Sequence, residues 1–235
     1  MLASSDAALL RRLSRADPDR YFATLFAPPA RRGGLALLYL FNHELARARE
    51  VASNPVLALI RLQWWREVVE GIEKPHELAT PLSAALAAGD LPREDLLALV
   101  GARAAEAEDS PADLAAFLAY ARSTGGRLAR AAGKILGEDS AAIEDLGTAY
   151  AIAGILRAAP FLARQGRSLL PADGTPAAVL KEEALALLAA RPPRAAFAAW
   201  APAALVRRDL RHPAPRPRGT LDRLAIVRAA LTGRV

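Results

Sequence analysis

The chain has 235 residues, 53% of them hydrophobic and none of them cysteine, so it can bury a sizeable core but can form neither a disulfide nor a thiolate metal site. Lys and Arg total 31 against 25 Asp and Glu, and the resulting charge of +6 and pI of about 10.3 favour anionic partners. Nucleic acid is set aside among these, because the few aromatics fall on apolar faces instead of interleaving with the basic residues. Taken in order, MLASSDAALLRRLSRADPDRY lacks the charged-then-apolar layout of a secretory signal, and no export is expected. Residues 6–15 (DAALLRRLSR) predict a short amphipathic helix, suited either to an anionic bilayer or to packing with its arginines in water. Asp17-Pro18 reads as an N-cap with Pro at the first helical position, opening a helix to about Phe26. A long helix is predicted from Pro29 to about Val51, and Ser53-Asn54-Pro55 caps the next, which ends at Gly71.

Prolines and glycines between 73 and 91 leave room for one short helix, followed by a helix at 92–107. Ser110-Pro111 opens another that reaches about Leu136, and Ser140 caps a helix that Pro160 is expected to kink or end. After a turn at Asp173-Gly174, helices are predicted at 177–190 and 194–210. The connector HPAPRPRG (212–219) and a last helix from Thr220 complete the chain. No strand alternation or internal repeat is evident. The expectation is all-α: one domain over 1–235, with eight to eleven helices, of which 29–51, 55–71, 111–136 and 141–166 surround a central cavity. No run of about 18 uncharged apolar residues occurs, so no membrane-spanning helix is expected, while a mean hydropathy of +0.13 leaves room for a greasy pocket.

The stretch from Gly147 to Pro171, GTAYAIAGILRAAPFLARQGRSLLP, organises the rest. Gly147, Ala151, Gly154 and Ala158 recur at helical spacings of three and four, so a neighbouring helix can approach closely. The segments LYLFNHELARARE, RLQWWRE (61–67), YARSTGG (120–126) and ILR…GRSLLP occur in the order seen in the squalene/phytoene synthase family, which this chain resembles from about Tyr21 to Pro171. FNHELARARE, ALIRLQWWREVVEGI and GILRAAPFLARQGRSLLP are most similar to the divergent branch of that family tied to the assembly of respiratory complex I.

The resemblance implies an isoprenoid-synthase-type bundle around a cavity. Phe41, Glu50, Trp65, Tyr120, Gly125, Arg157 and Arg167 are its candidate cavity residues. In the synthases, paired aspartates on two helices hold magnesium on a diphosphate. Here the matching positions are Ala46, Arg47 and Glu50 on the first helix, and Ala158 and Leu162 on the second. Hard magnesium ions need several oxygen ligands, and Glu44 and Glu50, six residues apart, do not share a helix face.

The expectation is therefore a non-catalytic relative acting in complex I assembly or in lipid binding, with no catalytic residue, no metal ligand and no cofactor. The alternative is a magnesium-dependent prenyl-diphosphate transferase that condenses two substrates head to head. Expected partners are complex I subunits or assembly intermediates, an isoprenoid or lipid ligand, and an anionic membrane surface. The expected location is cytoplasmic, peripheral at the inner membrane. Trp64 and Trp65 read as core or cavity wall. His43, His76 and His212 have no metal-site spacing. Arg157, Arg164 and Arg167 read either as a direct phosphate clamp or as a solvated helix end.

Overall fold

The computed structural model describes residues 2–50, 54–104, 110–212 and 217–235, and every regular element among them is helical. The first six helices are α1 (Leu2–Ala16), α2 (Pro18–Thr24), α3 (Pro29–Glu50), α4 (Pro55–Glu70), α5 (Ala79–Ala87) and α6 (Arg93–Ala104). A single rod follows, made of α7 (Leu114–Ala121), a π-helical turn (Arg122–Gly126) and α8 (Arg127–Ile135). Then come α9 (Ala141–Arg164), α10 (Ala177–Leu187), α11 (Phe197–Trp200), α12 (Val206–Arg211) and α13 (Thr220–Thr232).

The local signals explain most boundaries. The Asp17 carboxylate accepts from Arg20 N at 3.0 Å and starts α2, and Asn54 accepts from Leu57 N at 3.0 Å and starts α4. Gly71, at φ +108°, closes α4 in the left-handed region that favours glycine. Two expectations need correction. Asp113, not Ser110-Pro111, caps α7, because its side chain accepts from Ala116 N. The helix expected over 194–210 is interrupted by 3₁₀ turns at Arg194–Ala196 and Ala201–Leu205, the second containing Pro202. Helix α9 continues to Arg164 with Pro160 inside it, close to the span of 141–166 expected from the sequence.

Helix α3 is apolar on all sides from Leu35 to Phe41 and is correspondingly sunk in the core. The apolar face of α1, carried by Leu9 and Leu13, packs into the same core, with Arg12 reaching Glu44 of α3 at 3.1 Å. That face is therefore not free to enter a bilayer. Helix α9 is long and apolar enough by length and composition to cross a membrane, contrary to expectation. Arg157 interrupts an otherwise apolar run, and 44% of the most apolar window is buried inside the protein.

Between α9 and the π turn there is almost no space. A Cβ added at Gly147 would meet the Ala129 Cβ at 2.4 Å and the Gly125 carbonyl oxygen at 2.6 Å. One added at Gly126 would meet Thr148 Oγ1 at 2.4 Å. The small residues singled out in the sequence let the two backbones touch here, and the seam fixes α9 against the α7–α8 rod.

Candidate functional site

One turn beyond that seam the same helix face opens. Gly147, Tyr150, Ala151, Gly154, Ala158 and Phe161 follow the i, i+3, i+4 rule along α9, but nothing lies within 4 Å of a Cβ placed on Gly154. The result is a groove of about 500 Å³ between α9, the α7–α8 rod, α3 and α6. Its apolar wall is Leu128, Ile155, Phe161 and Leu169, and its polar wall includes Tyr120, Thr124, Asn42 and Tyr150. Three arginines line it as well, Arg20 from α2, Arg103 from α6 and Arg157 from α9, and none of its described lining residues is acidic.

The arginines are positioned by partners set back from the opening. Arg103 donates to the Tyr120 hydroxyl at 3.2 Å and to Asn42 Oδ1 at 3.3 Å. Arg20 donates to Asp17 at 2.6 Å and lies over the rings of Tyr39 and Tyr150, 5.6 and 5.1 Å from their centres. Arg157 donates to Asp209 of α12 at 3.0 Å. Arg218 bridges the buried Asp209 and Asp19, and the Tyr150 hydroxyl donates to Asp19 at 2.7 Å. This network ties α2, α9, α12 and the segment before α13 around one end of the groove. Burial, followed by the charges of Asp19 and Asp17, pushes the Tyr150 phenol well above its ordinary range. Burial does the same to Tyr39, opposed by Arg20.

Nε of Arg157 is buried without a hydrogen-bond partner, and so is Nε of Arg49, seven residues from Asn42 and on the same face of α3. Buried polar atoms are normally paired, so an anion in the groove has something to gain at Arg157, which lines it.

Of the seven candidate cavity residues named from the sequence, Tyr120, Gly125 and Arg157 come together on the groove. The others do not line it. Phe41 is fully buried beneath, edge to face with Trp65 at 5.6 Å, and Trp65 in turn packs against Trp64 and His76, so both rings are core. Glu50 is exposed at the last residue of α3, and Arg167 is half-buried in the turn after α9. Ala158 lines the groove while Leu162 is buried. Ala46 is half-buried and Arg47 exposed. Arg164 is exposed, with its guanidinium over the Phe161 ring. His76 accepts from Leu78 N at the start of α5, a structural role. No group of three or more His, Asp or Glu among the described residues is arranged to hold a metal ion.

Arg20, Arg103, Asp209 and Arg218 escaped the sequence reading, because pairs such as Arg218–Asp19, 199 residues apart, leave no local pattern. Tyr150 could have been found, since it lies three residues after Gly147 on the helix face already identified.

The chain is similar to human NADH dehydrogenase (ubiquinone) complex I, assembly factor 6, at 29% identity over 179 residues, covering 72% of this chain and 54% of the relative. Its similarity to the bovine protein of the same name is 28% over 181 residues, covering 73% and 54%. The chain thus matches about half the length of these relatives. Among solved structures, a dehydrosqualene synthase in complex with ligand superposes with a TM-score of 0.75 at 13% identity, covering 98% of this chain and 96% of that one. Squalene synthase HpnC from Alicyclobacillus acidocaldarius does so at 0.65 and 20%, covering 97% and 94%. At these identities the superpositions establish the fold, the all-α isoprenoid-synthase bundle expected from the sequence. The family model for squalene/phytoene synthase matches residues 13–212, from the end of α1 through α12, and the chain belongs to that family.

Proposed function

We propose that this protein is a non-catalytic member of its family that serves the assembly of respiratory complex I, and that its groove receives an amphiphile with an anionic head. The observation that carries this reading is the composition of the groove: apolar and small residues on one wall, three arginines on the other, and no carboxylate among the described lining residues. Magnesium does not fit that donor set. A hard divalent cation needs several oxygen ligands, and guanidinium groups repel it. With the paired aspartates replaced by Ala46, Arg47, Ala158 and Leu162, the main stabilisation of a departing diphosphate is absent. Arginine instead binds phosphate or carboxylate directly through its planar fork, and Nε of Arg157, a lining residue, leaves such a bond to be made. The ligand is then an isoprenoid or other lipid held without metal, and no cofactor takes part.

The names of the human and bovine relatives support the assembly role, with complex I subunits or assembly intermediates as partners. The same reading puts the protein in the cytoplasm, peripheral at the inner membrane. Because the apolar face of α1 is already buried, Arg11 and Arg15 on its exposed side supply the attraction to anionic lipid, each contributing roughly 1 kcal/mol near the surface. Recovery in the membrane fraction should accordingly be lost at high salt.

Deletion of the gene tests the role. The expected result is reduced assembled complex I and reduced NADH:quinone activity, with squalene, hopanoid and carotenoid levels unchanged. Normal NADH:quinone activity together with a missing isoprenoid would reverse the reading in favour of a prenyltransferase.

A further inference from the structure

Helix α13 carries apolar residues on both its buried and its exposed side. Its inward face is Asp222, Ile226 and Ala229, all buried, with Ile226 in a small cluster beside Leu205. The opposite face carries Leu221, Leu224 and Leu231, which are 62%, 53% and 77% exposed. A helix docked by its own sequence would turn its three leucines inward. Here the three leucines are exposed, along a concave depression of about 570 Å³ between α12 and α13.

The charged side chains of that depression have one sign. Arg207 and Arg211 stand on the α12 side, Arg228 and Arg234 on the α13 side, and no Asp or Glu is among its lining residues. Arg208 is already bound to Asp222 at 2.9 Å, which seats α13 against α12 and leaves the other four cations around the leucines. We infer that the α12–α13 depression is a docking site for an amphipathic helix with an apolar face and acidic flanks, contributed by a protein partner. This goes beyond the reading of the groove and does not depend on it.

Shape and charge select that occupant. Leu221 and Leu231 are about 15 Å apart along the axis, the length of a three-turn helix laid into the trough. Three leucines at one helical face provide the i, i+3, i+10 anchors such a helix meets, and glutamates on its flanks would reach the arginine rim. A second copy of this chain is disfavoured, since it would bring two arginine rims together. A flat bilayer suits a convex face better than a trough between two helices.

The test uses the whole protein and a labelled helical peptide of about 15 residues, with leucines along one face and glutamates on both flanks, read by fluorescence anisotropy. Binding in the micromolar range is expected, weakened at least about tenfold by Leu224→Asp or Leu231→Asp and by Arg211→Glu with Arg228→Glu. A peptide with lysines in place of the glutamates should not bind. These positions are exposed, so an unchanged melting temperature shows that each variant is folded. Three results overturn the proposal: no binding of the acidic peptide, binding indifferent to the leucine substitutions, or Leu224-dependent behaviour seen only as self-association or as sedimentation with vesicles containing anionic lipid.

Discussion

Two stretches of one face of α9, seven residues apart, use the same residue type to opposite ends. At Gly147 the missing side chain lets the π turn come into backbone contact, whereas at Gly154 it faces empty space. The seam is held by steric fit, and the groove is held open by what surrounds it, chiefly the arginine–aspartate network at its end. A small residue in a helix therefore closes an interface or clears a cavity according to what the opposite element brings, and the spacing of small residues alone does not distinguish the two.

The largest effect should come from the network. Asp209 is 2% exposed and holds Arg157 and Arg218, so Asp209→Ala leaves two cations beside the groove without their shared acceptor. A loss of about 3–5 kcal/mol is expected in denaturant unfolding, and a loss below 1 kcal/mol would show that the groove's end does not depend on this charge pairing. Next, Gly147→Ala should destabilise by about 1–3 kcal/mol, because the new methyl meets a carbonyl oxygen that cannot move without displacing the rod.

Alkaline pH separates the two regions further. Tyr39 and Tyr150 hold their protons above the ordinary phenol range when folded. Their contribution to stability is intact below about pH 10 and falls as the pH rises, because the unfolded chain ionises first. The decline should approach about 1.4 kcal/mol per pH unit for each tyrosine, and Tyr150→Phe should flatten it. An identical pH profile in that variant would contradict the assignment. The smallest effect is the mirror of the seam substitution: Gly154→Ala should stabilise by about 0.5–1 kcal/mol through helix propensity, with no clash to offset it. Gly154→Leu sharpens the contrast, since it should fold normally yet lower uptake of a fluorescent anionic lipid by filling the groove.

Helix identity was legible in the sequence wherever a cap or a breaker acts locally. Asp17, Asn54 and Gly71 do at their boundaries what their side chains or backbone freedom dictate. Pro160 lies inside α9, within the span of 141–166 expected for that helix. Tyr120, Gly125 and Arg157, named from family spacing, lie on the groove, whereas Phe41 and Trp65 form a core stack, a reading the sequence already offered for the tryptophan. The arginine side of the groove was not readable. Arg20, Arg103 and Arg157 converge only once α2, α6 and α9 are packed, and Asp19 and Asp209 reach Arg218 from opposite parts of the chain.

The central claim is that this synthase frame no longer performs magnesium-assisted ionisation of a prenyl diphosphate. Release of inorganic diphosphate from farnesyl or geranylgeranyl diphosphate by the purified protein, with magnesium and with chelator, measures it directly. The account predicts release no faster than the protein-free control under both conditions. Chelator-sensitive release at a rate on the order of 1 s⁻¹ or more, accompanied by a squalene- or phytoene-type product, would contradict it.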